Sequence, residues 1–348
     1  MTTHVKRLHT ATLWIASLGI ALVAFNATAQ VRRHWTIPVN PGRVIIDTTA
    51  RPLAAPQKPD ADRASYTFLS IDPQGHGHCY VDAHGLNDAR QVVVDWSEPT
   101  NDCNLMHAWL LADGKWTSLD FVHSHCPNLS TYFTSLNNRG IAFGTYWSDC
   151  SFEPAVGINV TTRSWFALPD IQDFPYNAGF SMSNNGLAVG VANNDNAVKH
   201  WIWNGRQYLF PNFPAGWDVS GIWAGPLFIN DSGHIAGQYV DSTGRMRGYF
   251  QDGGRVTTFE APGNPLGTYV NGITDSGNLL LNGAYDESSP YYPSHSFSWR
   301  QGVFTPLPTV PFPGAVLTYV YGLNNPGDIS GVWQDSSNLW HAFVAYRK

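Results

Sequence analysis

The chain has 348 residues and a formal net charge of −6, with 43% hydrophobic, 14% aromatic and only 13% charged residues. The aromatic content excludes a disordered chain, and the acidic balance excludes the basic footprint that nucleic-acid binding needs, so we expect no nucleic-acid partner. The 32 Gly and 23 Pro beside these aromatics are typical of a turn-rich all-β protein.

Residues 1–29 predict a secretory signal peptide. Lys6 and Arg7 form a basic region, Leu13–Phe25 is an apolar stretch too short to span a bilayer comfortably, and Ala27–Ala29 has the small residues of a cleavage site. Cleavage would leave 18 Lys+Arg against 26 Asp+Glu, a net charge of −8. We therefore expect a secreted or periplasmic protein with no membrane span once the signal is removed.

The next segment, residues 30–64, is rich in Pro and charged residues and has little periodicity. This composition predicts an extended leader or linker. Val44-Ile45-Ile46 is the one stretch with the composition of a short strand.

One short phrase then returns six times: an apolar residue, Asn or Ser/Thr, Asn or Asp, any residue, and usually Gly. The copies are Leu86–Arg90, Leu136–Gly140, Met182–Gly186, Ile229–Gly233, Ile273–Gly277 and Leu323–Gly327. They lie 44 to 50 residues apart, which is the length of one four-stranded propeller blade. We therefore predict an all-β fold over residues 65–348, a single six-bladed β-propeller with four antiparallel strands per blade.

The two ends of this region predict how the ring closes. The sixth repeat stops after its third strand, His341–Tyr346, whereas an unpaired copy of the fourth strand, Tyr66–Asp72, precedes the first repeat. An N-terminal strand that completes the C-terminal blade would remove an exposed sheet edge.

The residue before each phrase is small in five of the six copies. These positions are Gly85, Ser135, Ser181, Phe228, Gly272 and Gly322. Because inner strands crowd towards the axis of a propeller, small side chains are expected on the face that must fit the taper.

The predicted third strands also share a start: His107-Ala108-Trp109 in the first repeat and His341-Ala342-Phe343 in the last. Together with the Asn-Asp-x-Gly turns, residues 66–348 resemble the bacterial extracellular repeat family named after its His-Ala-Phe (HAF) motif. The resemblance implies a secreted, propeller-like repeat protein and supplies no catalytic residues. We interpret the repeated histidines as structural, because third strands lie away from the axis.

Four cysteines recur at spacings of 24, 23 and 24: Cys79, Cys103, Cys126 and Cys150. They fall in the loops from fourth to inner strands and from second to third strands, which share one face of a propeller; we call this the loop face. Oxidising surroundings favour disulfides. Of the three pairings, the symmetry of the repeats favours Cys79–Cys103 and Cys126–Cys150.

Two His-x-His pairs stand beside these cysteines: His76, His78, His123 and His125. Residues i and i+2 of an extended strand point the same way, and imidazole suits zinc or copper. Two interpretations stay open: a metal ion held as a cofactor, or histidines that only decorate loops fixed by disulfides.

Aromatic residues end several second strands on the same face. The candidate ligand-binding residues are Trp96, Tyr146, Trp147, Tyr239, Trp333 and Asp335. Aromatic planes beside carboxylates are typical of sugar-binding surfaces. The alternative is that the aromatic rings pack between blades and the acids only solvate loops.

Three functions remain open at this level. The favoured one is a binding module for an extracellular glycan or other small polar molecule, because no nucleophile or phosphate-binding motif appears. The second is a hydrolase or lyase acting on a carbohydrate or small molecule, with or without a metal, for which the acid–base candidates are Asp149, Asp241 and Asp286. The third is a structural envelope protein.

Overall fold

The computed structural model describes residues 65–73, 80–97, 105–121, 129–148, 155–194, 196–262, 267–283 and 296–348, and a short strand at 45–46. For residues 45–46, 147–148 and 283 only the backbone is described. Within these ranges the chain forms six sheets arranged as a six-bladed β-propeller, which confirms the predicted fold. None of the described residues belongs to a helix with the length and apolar character needed to cross a membrane.

Inner strands line the axis, and second strands run back beside them. The inner strands are β3 (Val81–Leu86), β7 (Leu129–Leu136), β11 (Tyr176–Met182), β15 (Gly225–Ile229), β19 (Thr268–Ile273) and β23 (Leu317–Leu323). The second strands are β4 (Val92–Ser97), β8 (Ile141–Ser148), β12 (Ala188–Asn194), β16 (Ile235–Val240), β20 (Leu279–Gly283) and β24 (Ile329–Gln334). The repeated Asn-Asp phrase forms the turn between the two, so these turns share the face opposite the loop face; we call it the turn face.

Third and fourth strands complete each antiparallel sheet towards the rim. The third strands are β5 (Met106–Ala112), β9 (Val156–Asn159), β13 (Ala197–Trp203), β17 (Met246–Asp252), β21 (Ser296–Arg300) and β25 (Trp340–Arg347). The fourth strands are β6 (Lys115–Ser118), β10 (Trp165–Ala167), β14 (Tyr208–Leu209), β18 (Arg255–Phe259), β22 (Val303–Pro306) and β2 (Tyr66–Ser70). Blades are numbered one to six in the order of their inner strands.

The ring closes as predicted. β2 pairs antiparallel with β25, with Tyr66 opposite Arg347 and Ser70 opposite Phe343. The N–H of Ile71 extends this ladder by donating to the carbonyl of Ala342 at 3.0 Å. The N-terminal strand therefore supplies the fourth strand of the sixth blade, and the pairing covers an edge that would otherwise be open.

One strand comes from the segment predicted as a leader. Ile45–Ile46 forms β1, which pairs in parallel with β18. The sheet of the fourth blade consequently has five strands in the described part of the chain, whereas the others have four.

Every described inner strand carries a β-bulge against its second strand, at the same place in the repeat. The bulge ends at the residue that precedes each repeated phrase, which is small in every blade but the fourth, where it is Phe228. At Gly322, an added Cβ would lie 2.8 Å from the carbonyl oxygen of His84 in the next blade, and at Gly85 it would lie 2.9 Å from Cβ of Leu136. At these two positions a small residue is thus required because neighbouring inner strands approach closely, as expected from the taper.

The hydrophobic core is divided among the six interfaces between neighbouring blades. Second strands serve two interfaces at once because their side chains alternate. In β4, Val92, Val94 and Trp96 pack towards the sixth blade, whereas Val93 packs towards the second. No blade buries its own faces, so the closed ring is the smallest unit that removes all of this surface from water.

Candidate functional site

The axis contains a cavity of about 100 Å³ that opens on the turn face. Its mouth is formed by the turn residues and its wall by the apolar residue that precedes each turn. His84, Thr134, Asn271 and Tyr321, one residue from each of four inner strands, line its inner end.

The mouth is a closed ring of hydrogen bonds between the second residues of the six turns, which we call the polar ring. Each backbone N–H donates to the side-chain Oδ1 of the same position in the next blade. The bonds run Asp88 to Asn138 (2.7 Å), Asn138 to Asn184 (2.7 Å), Asn184 to Asp231 (2.6 Å), Asp231 to Asp275 (3.4 Å), Asp275 to Asn325 (2.8 Å) and Asn325 to Asp88 (2.9 Å).

Side chains strengthen this ring where an amide meets a carboxylate. Nδ2 of Asn138 and Nδ2 of Asn325 both donate to Oδ2 of Asp88 at 2.8 Å. Asn325 also donates to Oδ2 of Asp275 at 2.8 Å. Nδ2 of Asn184 donates to Oδ2 of Asp231 at 2.8 Å. Each of the three carboxylates therefore accepts from at least one neighbouring amide, whereas Asp231 and Asp275 are direct neighbours in the ring.

The first residue of each turn, Asn87 in the first blade, makes a different set of hydrogen bonds. In Asn87 the side-chain oxygen accepts from the N–H of Gln91 within its own turn at 3.0 Å, as Asn does in many turns. Its amide reaches the carbonyl of Asn137 in the next blade at 3.3 Å, and Asn324 reaches the carbonyl of Asn87 at 3.1 Å. The repeated Asn thus joins blades as well as shaping turns.

A buried polar cluster continues from the inner end of the cavity towards the loop face. Oδ2 of Asp82 accepts a hydrogen bond from the hydroxyl of Tyr132 at 3.1 Å and a second, shorter one from the hydroxyl of Tyr80. Nδ1 of His84 lies 3.9 Å from the same oxygen, and the His84 ring packs against Tyr321 with centroids 4.7 Å apart. We call Tyr80, Asp82, His84 and Tyr132 the axial cluster.

Burial changes the protonation of the axial cluster. It raises the pKa of Asp82 to about 7, against the hydrogen bonds from Tyr80 and Tyr132, which act to lower it. It lowers the pKa of His84 to about 3. At mildly acidic pH both side chains are consequently neutral, a protonated carboxyl beside a neutral imidazole.

A second buried carboxyl lies directly opposite in the same blade. Asp95 of β4 pairs with Asp82 in the register of the sheet. Burial raises its pKa well above the usual range, while the N–H of Phe133, which it accepts at 3.1 Å, acts in the other direction. Asp95 therefore joins the first blade to the inner strand of the second.

The aromatic residues proposed from the second strands are buried in the blade interfaces. Trp96 and Tyr146 are 1% and 6% exposed, and Tyr146 stacks on Phe121 with centroids 4.3 Å apart. Tyr239 stacks on Trp217 at 3.7 Å, and Trp333 stacks on His341 at 4.2 Å. They lie in four different blades, and each ring contributes packing in its own interface.

The two described acids from the sequence-based proposal are held in turns. Asp241 accepts from the hydroxyl of Thr243 at 2.6 Å and pairs with Nε of Arg247 at 2.7 Å, and together with the backbone of the turn these bonds hold the pKa of Asp241 well below its usual range. Asp335 accepts from the N–H of Leu339 at 3.0 Å, which lowers its pKa, and lies 3.3 Å from Nε2 of His341. Both acids are therefore ionised and internally satisfied.

The remaining candidates fall outside the described residues. These are Asp149, Asp286, His76, His78, His123, His125, Cys79, Cys103, Cys126 and Cys150, together with the side chain of Trp147. In the described part of the chain, no group of three or more His, Cys, Asp or Glu is arranged to hold a metal ion.

The repeated third-strand histidine of the first blade has a partner just after the fourth strand. Nδ1 of His107 lies 3.1 Å from Oδ2 of Asp120, whose Oδ1 accepts from the N–H of Ala108 at 2.8 Å. In the fourth blade Arg247 and Glu260 occupy the same two positions and form an ion pair. In the third blade Nε2 of His200 instead lies 2.8 Å from the carbonyl oxygen of Val219. The described side chains at this position thus all bond to neighbouring parts of the fold.

Sequence reasoning did not find the axial cluster. One signal was available, because Asp82 and His84 are polar residues within a strand predicted to be the innermost of its blade. A charged residue is almost never fully buried unless it is paired or has a function. What the sequence did not show is that Tyr132, 50 residues away, lies beside Asp82.

Comparisons with known proteins bear on the fold alone. No protein-family model and no curated protein matches the chain. Among solved structures, AofleA from Arthrobotrys oligospora matches 81% of this chain and 86% of its own at 9% identity and a TM-score of 0.48. The six-bladed, fucose-recognising lectin of Aleuria aurantia matches 79% and 93% at 11% identity and a TM-score of 0.40. TolB from Acinetobacter baumannii matches 78% of this chain at 12% identity and a TM-score of 0.44, and the match spans 65% of the TolB chain.

Proposed function

We propose that the protein is a binding module for a hydroxylated ligand, in particular a glycan unit, at the loop-face end of its axis. The observation that carries the proposal is the network of Tyr80, Asp82 and Tyr132. It holds two hydroxyls and one carboxyl together, of which Asp82 and Tyr132 are each 3% exposed and Tyr80 is half-buried. Sugar hydroxyls are recognised by fixed donors and acceptors of this kind.

Aromatic residues at the starts of the inner strands support the same site. Tyr80, Tyr176, Trp223 and Tyr269 are all half-buried and all stand at the loop-face ends of inner strands. Because inner strands converge on the axis, these four backbone positions from four blades lie near its loop-face end, where the Trp223 ring also packs on Phe180 with centroids 5.4 Å apart. A flat aromatic ring with a polar edge suits the apolar face of a sugar.

The test compares two Tyr→Phe variants by calorimetry against glycans selected on an array. Tyr80→Phe keeps the ring and removes one hydroxyl of the network, so we expect about tenfold weaker binding. Tyr208→Phe is the matched control, because Tyr208 belongs to the outermost strand β14 and its hydroxyl donates to the carbonyl of Pro169 and accepts from Nδ2 of Asn177, outside the network of Tyr80, Asp82 and Tyr132. Equal affinities of the two variants, or no glycan bound by the unmodified protein, would refute the proposal.

A second candidate function is glycoside hydrolysis at the same place. Asp82 favours it, because a buried carboxyl with a pKa of about 7 has the property required of a general acid, and Asp95 is a second carboxyl on the facing strand. Turnover of aryl glycosides that is abolished in Asp82→Asn would support an enzyme. Binding without turnover by the unmodified protein would favour the binding module.

A further inference from the structure

The turn-face cavity combines three kinds of lining in layers along the axis. The mouth is the polar ring, with three carboxylates, and the described residues that line the cavity include no Lys or Arg. Below it lies a collar of aliphatic and thioether side chains from the residues that precede the turns: Leu86, Leu136, Met182, Ile229, Ile273 and Leu323. The inner end is polar again.

Two polar atoms at the inner end are buried with no hydrogen-bond partner among the described residues. They are Nδ1 of His84 and Oγ of Ser135. The side chain of His84 is only 10% exposed and lines the cavity, as does Ser135. An unpartnered buried polar atom is costly, and such atoms are normally satisfied by protein, water or a ligand. Burial also keeps the His84 imidazole neutral at physiological pH, so it can accept a hydrogen bond.

We propose that the cavity binds a linear aliphatic diamine, with one ammonium group at the polar ring, the methylene chain through the collar and the second nitrogen at His84 and Ser135. Each layer meets the matching part of such a molecule. The carboxylates already accept N–H groups from their neighbours and retain lone pairs for another cationic donor. An apolar collar gains from covering methylene groups, whereas it offers nothing to a hydrated metal ion.

The cavity is large enough for a small ligand. Its volume of about 100 Å³ is several times the roughly 10–15 Å³ that a single water requires. The strand rise of about 3.3 Å per residue puts the polar ring and the level of His84 on the order of 10 Å apart. A chain of a few methylene groups spans that distance.

The test is calorimetry of the full chain at low salt with 1,4-diaminobutane, 1,6-diaminohexane and the monoamine n-butylammonium. We expect one site, a preference for one diamine length, and at least tenfold weaker binding of the monoamine. Nα-acetyl-lysine methylamide is included because a lysine side chain on a partner carries the same ammonium group. Failure of both diamines to bind, equal binding of the monoamine, or tighter binding of the lysine derivative would overturn the proposal.

Three variants locate the site. Asp275→Asn should weaken diamine binding about fivefold or more; asparagine already occupies this ring position in three blades and keeps an acceptor for the N–H of Asp231. Ser135→Ala should reduce the preference for diamine over monoamine. Asp170→Asn, an exposed acid outside the cavity, makes the same change of charge and should have no effect.

Thermal unfolding of each variant establishes that it is folded. The same titrations in Tyr80→Phe separate this proposal from glycan binding. That variant alters the loop-face end and should leave diamine affinity unchanged. Unchanged diamine binding in both Asp275→Asn and Ser135→Ala would overturn the assignment to the turn-face cavity.

Discussion

Nδ1 of His341 lies 2.9 Å from Oδ2 of Asp72, although 269 residues of chain separate the two. Asp72 follows β2 and His341 belongs to β25, so this contact fastens the N-terminal strand to the last blade. Oδ1 of Asp72 also accepts from the N–H of Ala342 at 2.8 Å. The first blade has the same arrangement in Asp120 and His107, where the strands are neighbours in the chain.

We expect Asp72→Ala to lower the free energy of unfolding by about 2 kcal/mol, because it leaves the N–H of Ala342 and Nδ1 of His341 without their acceptor. Denaturant unfolding gives this value. Limited proteolysis should also cut the variant faster on the N-terminal side of β2, because the strand that closes the ring is held less firmly.

Asp120→Ala is the matched control for ring closure. It removes the equivalent bonds in the first blade and should cost a similar free energy, but it should not speed cleavage beside β2. If both variants are cleaved beside β2 at the same rate, the contact of Asp72 with His341 does not stabilise the pairing of β2 with β25.

Asp82 predicts a pH dependence of stability with a defined sign. Its pKa of about 7 in the folded protein lies above the ordinary carboxyl value near 4, so the folded state keeps a proton that the unfolded state releases. Stability from this group is full below pH 4 and is lost as the pH rises to 7, by up to about 1.4 kcal/mol per pH unit. Asp82→Asn should reduce this slope in urea unfolding measured from pH 4 to 8, and the buried Asp95, whose pKa is also raised, should leave a residual slope of the same sign.

Asp241→Asn provides a contrast of opposite sign. The lowered pKa of Asp241 means that its contribution is present above the ordinary carboxyl value and is lost as the pH falls below it. The difference in the free energy of unfolding between Asp241→Asn and the unmodified protein should therefore decrease below about pH 4 and stay constant between pH 4 and 7. Parallel stability curves for Asp82→Asn and the unmodified protein would contradict the role assigned to burial.

The polar ring predicts a salt-dependent effect at Asn138. Asn138→Asp keeps the acceptor for the N–H of Asp88 but replaces the amide that donates to Oδ2 of Asp88 with a second carboxylate. We expect a loss of about 1–2 kcal/mol at low ionic strength that is reduced in 1 M salt, because exposed charges are screened.

Asn138→Ala separates charge from hydrogen bonding. It removes both bonds without adding a charge, so its cost of about 1 kcal/mol should not change with salt. If the two variants respond to salt alike, the ring is not organised by the pairing of amides with carboxylates.

The burial of Trp333 predicts that its replacement lowers the stability of the fold and does not act only on ligand binding. It is 8% exposed, stacks on His341 and lies 5.2 Å from Phe312, centroid to centroid. Trp333→Ala should cost about 3–5 kcal/mol in chemical unfolding, as for other large buried side chains. Val303→Ala, at a 64% exposed position on β22, is the control and should change stability by less than about 0.5 kcal/mol.

A cost below about 1 kcal/mol in Trp333→Ala would contradict this packing role. It would also restore Trp333 to the set of residues available to a ligand on the loop face.

The sequence by itself determined the number of blades, the place of each strand within a blade and the strand that closes the ring. These follow from local rules repeated six times: alternation within strands, turn chemistry at Asn87 and its equivalents, and small residues such as Gly322 where backbones crowd. Each copy of the repeat is a weak signal by itself, but six copies at a regular spacing predict which residues of every blade occupy equivalent positions.

The tertiary structure alone decided which side chains meet. Trp96, Tyr146, Tyr239 and Trp333 satisfy the sequence criteria for an exposed aromatic surface, yet each of them is at most 8% exposed. Asp82 contacts Tyr132, and Asp88 contacts Asn138 in the polar ring, because the closed propeller brings residues about 50 positions apart to within roughly 3 Å of one another. Contacts between blades depend on ring geometry, and no spacing along the chain encodes them.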